Sequence, residues 1–185
     1  MTTTEGPPRA AGWRWSAALA AALLWLAGVV LAAPVAHAED GYALWLRYRP
    51  LPQAQAEEYR AAATELVAPA ATPTQRATRA ELLRGLEGLL GAAPVSSAAV
   101  SRDGALVVGT PASSKVVAGL RRELAGLGRE GYLIRSLRVD GRQATVIAAN
   151  EDVGVLYGAF HYLRLLQTGR PLRGLDLREA PRVQL

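Results

Sequence analysis

The sequence has no cysteine, one methionine and one phenylalanine. Without thiols there are no disulfides, no thiolate metal sites and no cysteine nucleophile, so packing alone must hold the fold. Histidine is nearly as scarce, with only His37 and His161. No His-x₃-His or His-Glu-x-x-His pattern is present, so no protein zinc site is expected. A serine triad would have to recruit His161, and no G-x-S-x-G elbow is present. Ser96, Ser97, Ser113 and Ser114 therefore read as turn and cap residues. Lys115 is the only lysine, so the formal net charge of +5 is carried by arginine. The arginines are scattered and do not interleave with aromatics. They read as a solvated face, and no nucleic-acid partner is expected.

The first 38 residues read as a leader. Arg9 and Arg14 form a positive start, Trp15 to Val30 is almost wholly apolar, and Pro34 breaks the run. Ala36-His37-Ala38 supplies the small-x-small pattern of signal peptidase, which predicts a mature start at Glu39 and a periplasmic or secreted location. The alternative is a retained anchor, since Trp15 to Ala38 is long enough to span a bilayer. Pro34 and the A-x-A end favour cleavage, after which no membrane association is expected. The remainder is the size of one domain, large enough to bury about two-thirds of its unfolded surface.

Tyr42 to Tyr48 reads as a strand stopped by Pro50 and Pro52. The spacing predicts helices over Gln55–Val67 and Thr74–Leu90, with Gly91 as a natural stop. Leu82, Leu83, Leu86, Leu89 and Leu90 make one apolar face, and Gly85 and Gly88 leave room for a neighbour. Ala105–Val108 reads as a buried strand, followed by a helix from Ser113 or Ser114 to Leu127. Tyr132–Val139 and Gln143–Ala149 read as a hairpin about Asp140-Gly141, the pair that suits a type I′ turn. Asn150 is the expected cap of a helix from Glu151 to Gln167, with Val153, Leu156, Tyr157, Phe160, Leu163 and Arg164 on one face. Gly154 and Gly158 leave little side chain between that helix and the sheet. The implied fold is α/β (α+β), a small mixed sheet with helices mainly on one face. The domain is expected over residues 39–171, with 172–185 as a lead-in segment.

Candidate chemistry is sparse. Gly109 to Lys115 sits at a strand-to-helix turn, where amides can hold an anion, but it lacks the Gly-Lys-Ser/Thr of a phosphate loop. Its plain reading is a turn and cap. His161, beside Phe160 on an apolar helix, reads as a packed histidine rather than a base. Glu57 and Glu58 point apart on their helix. Glu151 and Asp152 suit a helix first turn on electrostatic grounds alone. Trp45, Tyr42 and Tyr48 offer rings for a sugar but fit a core and sheet face better. No catalytic, cofactor-binding or metal-ligating residue is assigned, and no cofactor is expected.

Several stretches together resemble the N-terminal domain of the α-glucuronidases of glycoside hydrolase family 67. They are Glu39 to Tyr48 (EDGYALWLRY), Gly85 to Gly91 (GLEGLLG), Leu106 to Ser114 (LVVGTPASS) and Glu130 to Ser136 (EGYLIRS). The longest is Thr145 to Gly169 (TVIAANEDVGVLYGAFHYLRLLQTG), and Leu175 to Leu185 resembles the approach to that family's barrel. The resemblance implies an accessory domain like the one preceding the barrel in β-hexosaminidases. In such enzymes a following (β/α)₈ barrel removes glucuronic acid or its 4-O-methyl form from xylooligosaccharides, with one acid protonating the leaving oxygen and another activating water. None of the family's catalytic acids falls on a position of this sequence. The expectation is a domain inactive by itself, whose family substrate, glucuronoxylan oligosaccharide, is engaged by a barrel beyond Leu185. The uncovered barrel-facing surface would then favour self-association. Two alternatives stand beside this: a free-standing carbohydrate- or partner-binding module, and an unrelated enzyme using His161.

Overall fold

The computed structural model describes residues 47–181. The expected leader, and Tyr42 to Leu46 of the expected first strand, lie outside the described residues. Arg47 and Tyr48, the end of that stretch, are in no strand.

Helix α1 (Gln53–Ala61) follows Pro52 and buries Ala56 and Tyr59. The helix expected to run on to Val67 stops there instead. Ala62 and Ala63 donate back to Tyr59 and Arg60, and Glu65–Val67 becomes strand β1. The correction has a tertiary cause: Glu65, Leu66 and Val67 pair in parallel with Ala105, Leu106 and Val107. Those ladder bonds and the burial of Leu66 outweigh a weak local preference for helix.

Helix α2 (Pro73–Leu90) is delimited by local chemistry. The Thr72 hydroxyl accepts from Gln75 N at 3.1 Å, Gln75 Oε1 accepts from Thr72 N at 3.4 Å, and Pro73 occupies the first turn. That reciprocal cap satisfies two orphan amides. Gly91 ends the helix at φ 77, where a side chain would be strained. Leu82, Leu86, Leu89 and Leu90 are buried as the periodicity predicts, and Leu83 is partly buried.

Short strand β2 (Val95–Ser96) precedes β3 (Ala105–Gly109), every residue of which is buried. The single helix expected out to Leu127 is two short ones, α3 (Lys115–Ala118) and α4 (Arg121–Leu124). Gly119 N bonds to Val116 O and Leu120 N to Val117 O, tightened bonds that end α3 after one turn. Ser114 is its cap, accepting from Val117 N at 3.4 Å.

Strands β4 (Tyr132–Val139) and β5 (Arg142–Ala149) form the expected hairpin, in register from Val139 opposite Arg142 to Tyr132 opposite Ala149. Asp140 and Gly141 take φ 49 and φ 80, the type I′ turn. Helix α5 (Asp152–Gln167) returns over the sheet. Its N-cap residue is Glu151, not Asn150, and makes no side-chain cap bond. The Asn150 amide instead donates to Leu124 O and Gly128 O, both at 3.0 Å, tying the end of α4 and its exit to the start of α5.

The buried face of α5 also differs from the expected one. Val155, Ala159, Tyr162, Leu163 and Leu166 face the core, while Tyr157 is exposed and Val153, Leu156 and Phe160 are half-buried. The glycines decide this. A Cβ at Gly154 would sit 2.6 Å from the Gly131 carbonyl oxygen, and one at Gly158 would sit 2.6 Å from Ile147 Cγ2. The helix therefore rests its glycine edge directly on β4 and β5. The neighbouring stripe packs toward α2, where a Cβ on Gly85 would meet Leu163 at 2.8 Å.

Beyond Pro171 the chain does not leave the sheet at once: β6 (Asp176–Glu179) pairs antiparallel with β4. The six-stranded sheet runs β2-β1-β3-β5-β4-β6, mixed as expected. The larger core lies beneath α1, α2 and α5 on one face, and a smaller cluster with Val117, Leu124 and Leu127 lies on the other. Among the described residues, no helix is long and apolar enough to cross a membrane.

Candidate functional site

Most of the residues with chemical potential are held in structural bonds. In the turn from Gly109 to Lys115, Thr110 N donates to Ser113 Oγ at 2.9 Å. Ser113 N and Ser114 N both donate to Thr110 O. These amides close on their own turn rather than facing outward. His161 Nδ1 lies 2.8 Å from the Tyr132 hydroxyl, with the two rings edge to face. Burial pushes the imidazole below its ordinary value, with Glu179 opposing and Arg164 adding to the effect. Burial likewise raises the Tyr132 phenol. His161 is thus tied to β4 through the Tyr132 hydroxyl.

The carboxylates divide. Glu57 accepts from Gln53 on the helix surface, and Glu151 takes a two-oxygen contact from Arg129 Nε at 2.9 and 3.0 Å. Asp152 accepts from the Thr72 hydroxyl at 2.7 Å and from Gln75 Nε2 at 3.0 Å. One carboxylate therefore sits between the N-terminal ends of α2 and α5, where both helix dipoles favour it. Tyr48 is an anchor for the incoming chain. Its hydroxyl donates to Glu81, and Arg84 lies over its ring. A Cβ on Gly88 would meet Tyr48 Cβ at 2.7 Å, which accounts for that glycine. Tyr42 and Trp45 lie outside the described residues.

Glu65 is the group that sequence reasoning missed, because it was placed mid-helix. It is fully buried, yet four donors converge on its carboxylate. Oε1 accepts from Ser101 N at 2.6 Å and Arg102 N at 3.1 Å, and Oε2 from the Ser101 and Ser97 hydroxyls at 2.7 and 3.0 Å. Arg102 Nε adds an ion pair at 3.7 Å. Burial pushes this carboxyl up, but the Ser101, Arg102 and Ser97 hydrogen bonds outweigh it and hold it at about 2. Ser97 is thus a ligand of this carboxylate rather than a plain turn residue, and Ser96 belongs to β2.

A crevice of about 510 Å³ opens beside the C-terminal end of α1. It is bordered by Glu58 of α1, by Asp103 before β3, by Gln143 and Thr145 of β5, and by Leu172 and Arg173. Among the described residues no group of three or more His, Cys, Asp or Glu could hold a metal ion.

Fold and side chains together define a small α/β domain whose acids, serines and histidine mostly serve its own packing. The family described as "Glycosyl hydrolase family 67 N-terminus" matches residues 44–162. The chain belongs to that family. It is 34% identical over 141 residues to alpha-glucuronidase A of Emericella nidulans, covering 73% of this chain and 16% of that protein. To the probable alpha-glucuronidase A of Aspergillus oryzae it is 31% identical over 160 residues, 84% of this chain and 18% of the relative. The chain therefore spans under a fifth of the length of these relatives. A solved structure of a family GH115 4-O-methyl-alpha-glucuronidase with specificity for decorated arabinogalactans is similar over 56% of this chain and 13% of that one. Its TM-score is 0.44 at 22% identity, too slight a likeness to bear on fold or function.

Proposed function

We propose that this chain is a non-catalytic N-terminal domain of an α-glucuronidase. Its parent enzymes would cleave the α-1,2 link of 4-O-methylglucuronic acid on xylooligosaccharides from glucuronoxylan. The observation that carries the reading is the family match over residues 44–162, joined to relatives named as alpha-glucuronidases. The fate of three of the acids supports the non-catalytic part: Glu65, Glu151 and Asp152 are each held in hydrogen bonds within the fold rather than left free for acid and base roles. Incubation of the purified chain with aldouronic xylooligosaccharides should release no glucuronic acid above the blank, beside a full-length family member as positive control. Steady release would overturn the proposal.

Export belongs to the same proposal and rests on Arg9, the apolar run from Trp15 and the Ala36-His37-Ala38 end. The mature N-terminus should be Glu39 in a periplasmic or culture fraction, and an intact Met1 on cytoplasmic protein would refute it. Self-association of the isolated chain is proposed through the outer stripe of α5, where half-buried Leu156 and Phe160 flank exposed Tyr157. Light scattering that reads a monomer up to high concentration would dismiss it.

A further inference from the structure

The six-stranded sheet has β2 and β6 at its two edges, and they differ. Strand β2 is two residues long, too short to template another strand. Strand β6 has four residues, in unbroken register with β4 from Asp176 opposite Arg135 to Glu179 opposite Tyr132. It holds no proline, lysine or bulge, common devices that stop an edge from pairing. The direction of its backbone groups follows from one bond. Ser136 N donates to Leu175 O at 2.8 Å, so Ser136 and Leu175 are a hydrogen-bonded pair. Alternation then makes Ile134–Leu177 and Tyr132–Glu179 hydrogen-bonded pairs too, and it turns the N–H and C=O of Asp176 and Arg178 away from β4. Among the described residues nothing meets them.

We propose that β6 pairs antiparallel with β6 of a second copy of this chain, Leu177 facing Leu177 on a twofold axis, so that the two sheets join into one. The strand's own sequence selects the register. Only registers that set outward-facing residues opposite one another form ladder bonds. Centring on Asp176 sets that carboxylate against itself, and centring on Arg178 does the same with the guanidinium. Like charges directly opposite work against pairing. Centring on Leu177 sets each Asp176 opposite the partner's Arg178. Both contacts are then hydrogen-bonded pairs, giving about four main-chain bonds, and both join opposite charges. The side chains are placed for this. Asp176 is exposed and receives Arg135 on Oδ1 alone, at 2.7 and 2.8 Å, which orients the carboxylate along the sheet face. Arg178 is exposed and holds one long bond, to Ala125 O at 3.3 Å. A closed twofold contact uses the β6 edge of both copies and leaves only the two-residue β2 edges, so association stops at two. So small an interface is weak, with Kd on the order of 0.1 mM.

This inference goes beyond the domain assignment and stands apart from the α5 stripe, which presents a helix rather than a strand edge. Sedimentation velocity of the purified chain from about 10 μM to about 1 mM should show reversible exchange between monomer and dimer. Asp176→Arg and Arg178→Asp each set like charges opposite in the homodimer and should weaken it at least about tenfold. An equimolar mixture of the two variants restores opposite charges at both pairs and should recover dimer to within about threefold of the original Kd. Recovery on mixing separates strand pairing from damage to the fold. Arg178→Pro removes an outward N–H without touching the β4 ladder and should also abolish the dimer. Tyr157→Ser, on the α5 stripe, should leave it unchanged. Monomer throughout, oligomers that keep growing with concentration, or single charge variants that still dimerise would each overturn the proposal. So would a mixture that fails to recover, or association that is lost with Tyr157→Ser and kept with the β6 variants.

Discussion

Glu65 and Thr145 are both more than nine-tenths buried and both sit on strands, β1 and β5. Around Glu65 each oxygen meets at least two donors, and the loop from Ser97 to Arg102 is wrapped on the carboxylate. The Thr145 hydroxyl, by contrast, has no protein partner among the described residues and opens toward the crevice, where water can reach it. Buried polarity that is fully bonded holds a loop in place. Polarity that stays open to water adds little to folding.

The sharpest way to break this contrast is Glu65→Ala. It strands the Ser101 and Arg102 amides and two hydroxyls, and should cost about 3–4 kcal/mol in urea unfolding. Next comes acid. Glu65 is held at about 2 against an ordinary value of 4.5, so its contribution is complete above pH 4.5 and is lost as pH falls toward 2. The loss should be roughly 3 kcal/mol across that window, and Glu65→Ala should abolish that part of the pH dependence. Asp152→Ala removes two hydrogen bonds and a charge shared by two helix ends, for about 1–2 kcal/mol by the same measurement. Tyr162→Phe should stabilise by up to about 1 kcal/mol, because the fully buried Tyr162 hydroxyl has no partner among the described residues and burial raises its pKa. Thr145→Val should change stability least, within about 0.5 kcal/mol by urea unfolding. A loss at Thr145 as large as that at Glu65 would erase the distinction.

Legibility in the sequence followed the range of the interactions. The Asp140-Gly141 turn, the stop at Gly91 and the apolar face of α2 could be read because each depends on residues a few positions apart. The resemblance to the family also came from the residues alone, through the run from Thr145 to Gly169, and the match over residues 44–162 agrees with it. The candidate site was not legible in the same way. In the sequence Glu58 pairs only with Glu57, and nothing near it announces Thr145 or Arg173. Thr145 read only as one position in a strand.

By itself, then, the sequence determined the hairpin, the long helices and the family, because capping, turn geometry and periodicity act within one or two turns of chain. Tertiary structure alone decided that Glu65–Val67 is a strand, that Leu156 and Phe160 of α5 are only half-buried, and that a crevice opens beside Thr145. Those outcomes depend on contacts between residues far apart in the chain. Glu65 meets Ala105, Gly154 meets Gly131, and Glu58 borders the same space as Arg173. Ladder bonds and excluded volume across such separations outweigh local preference, and they exist only once the chain has folded.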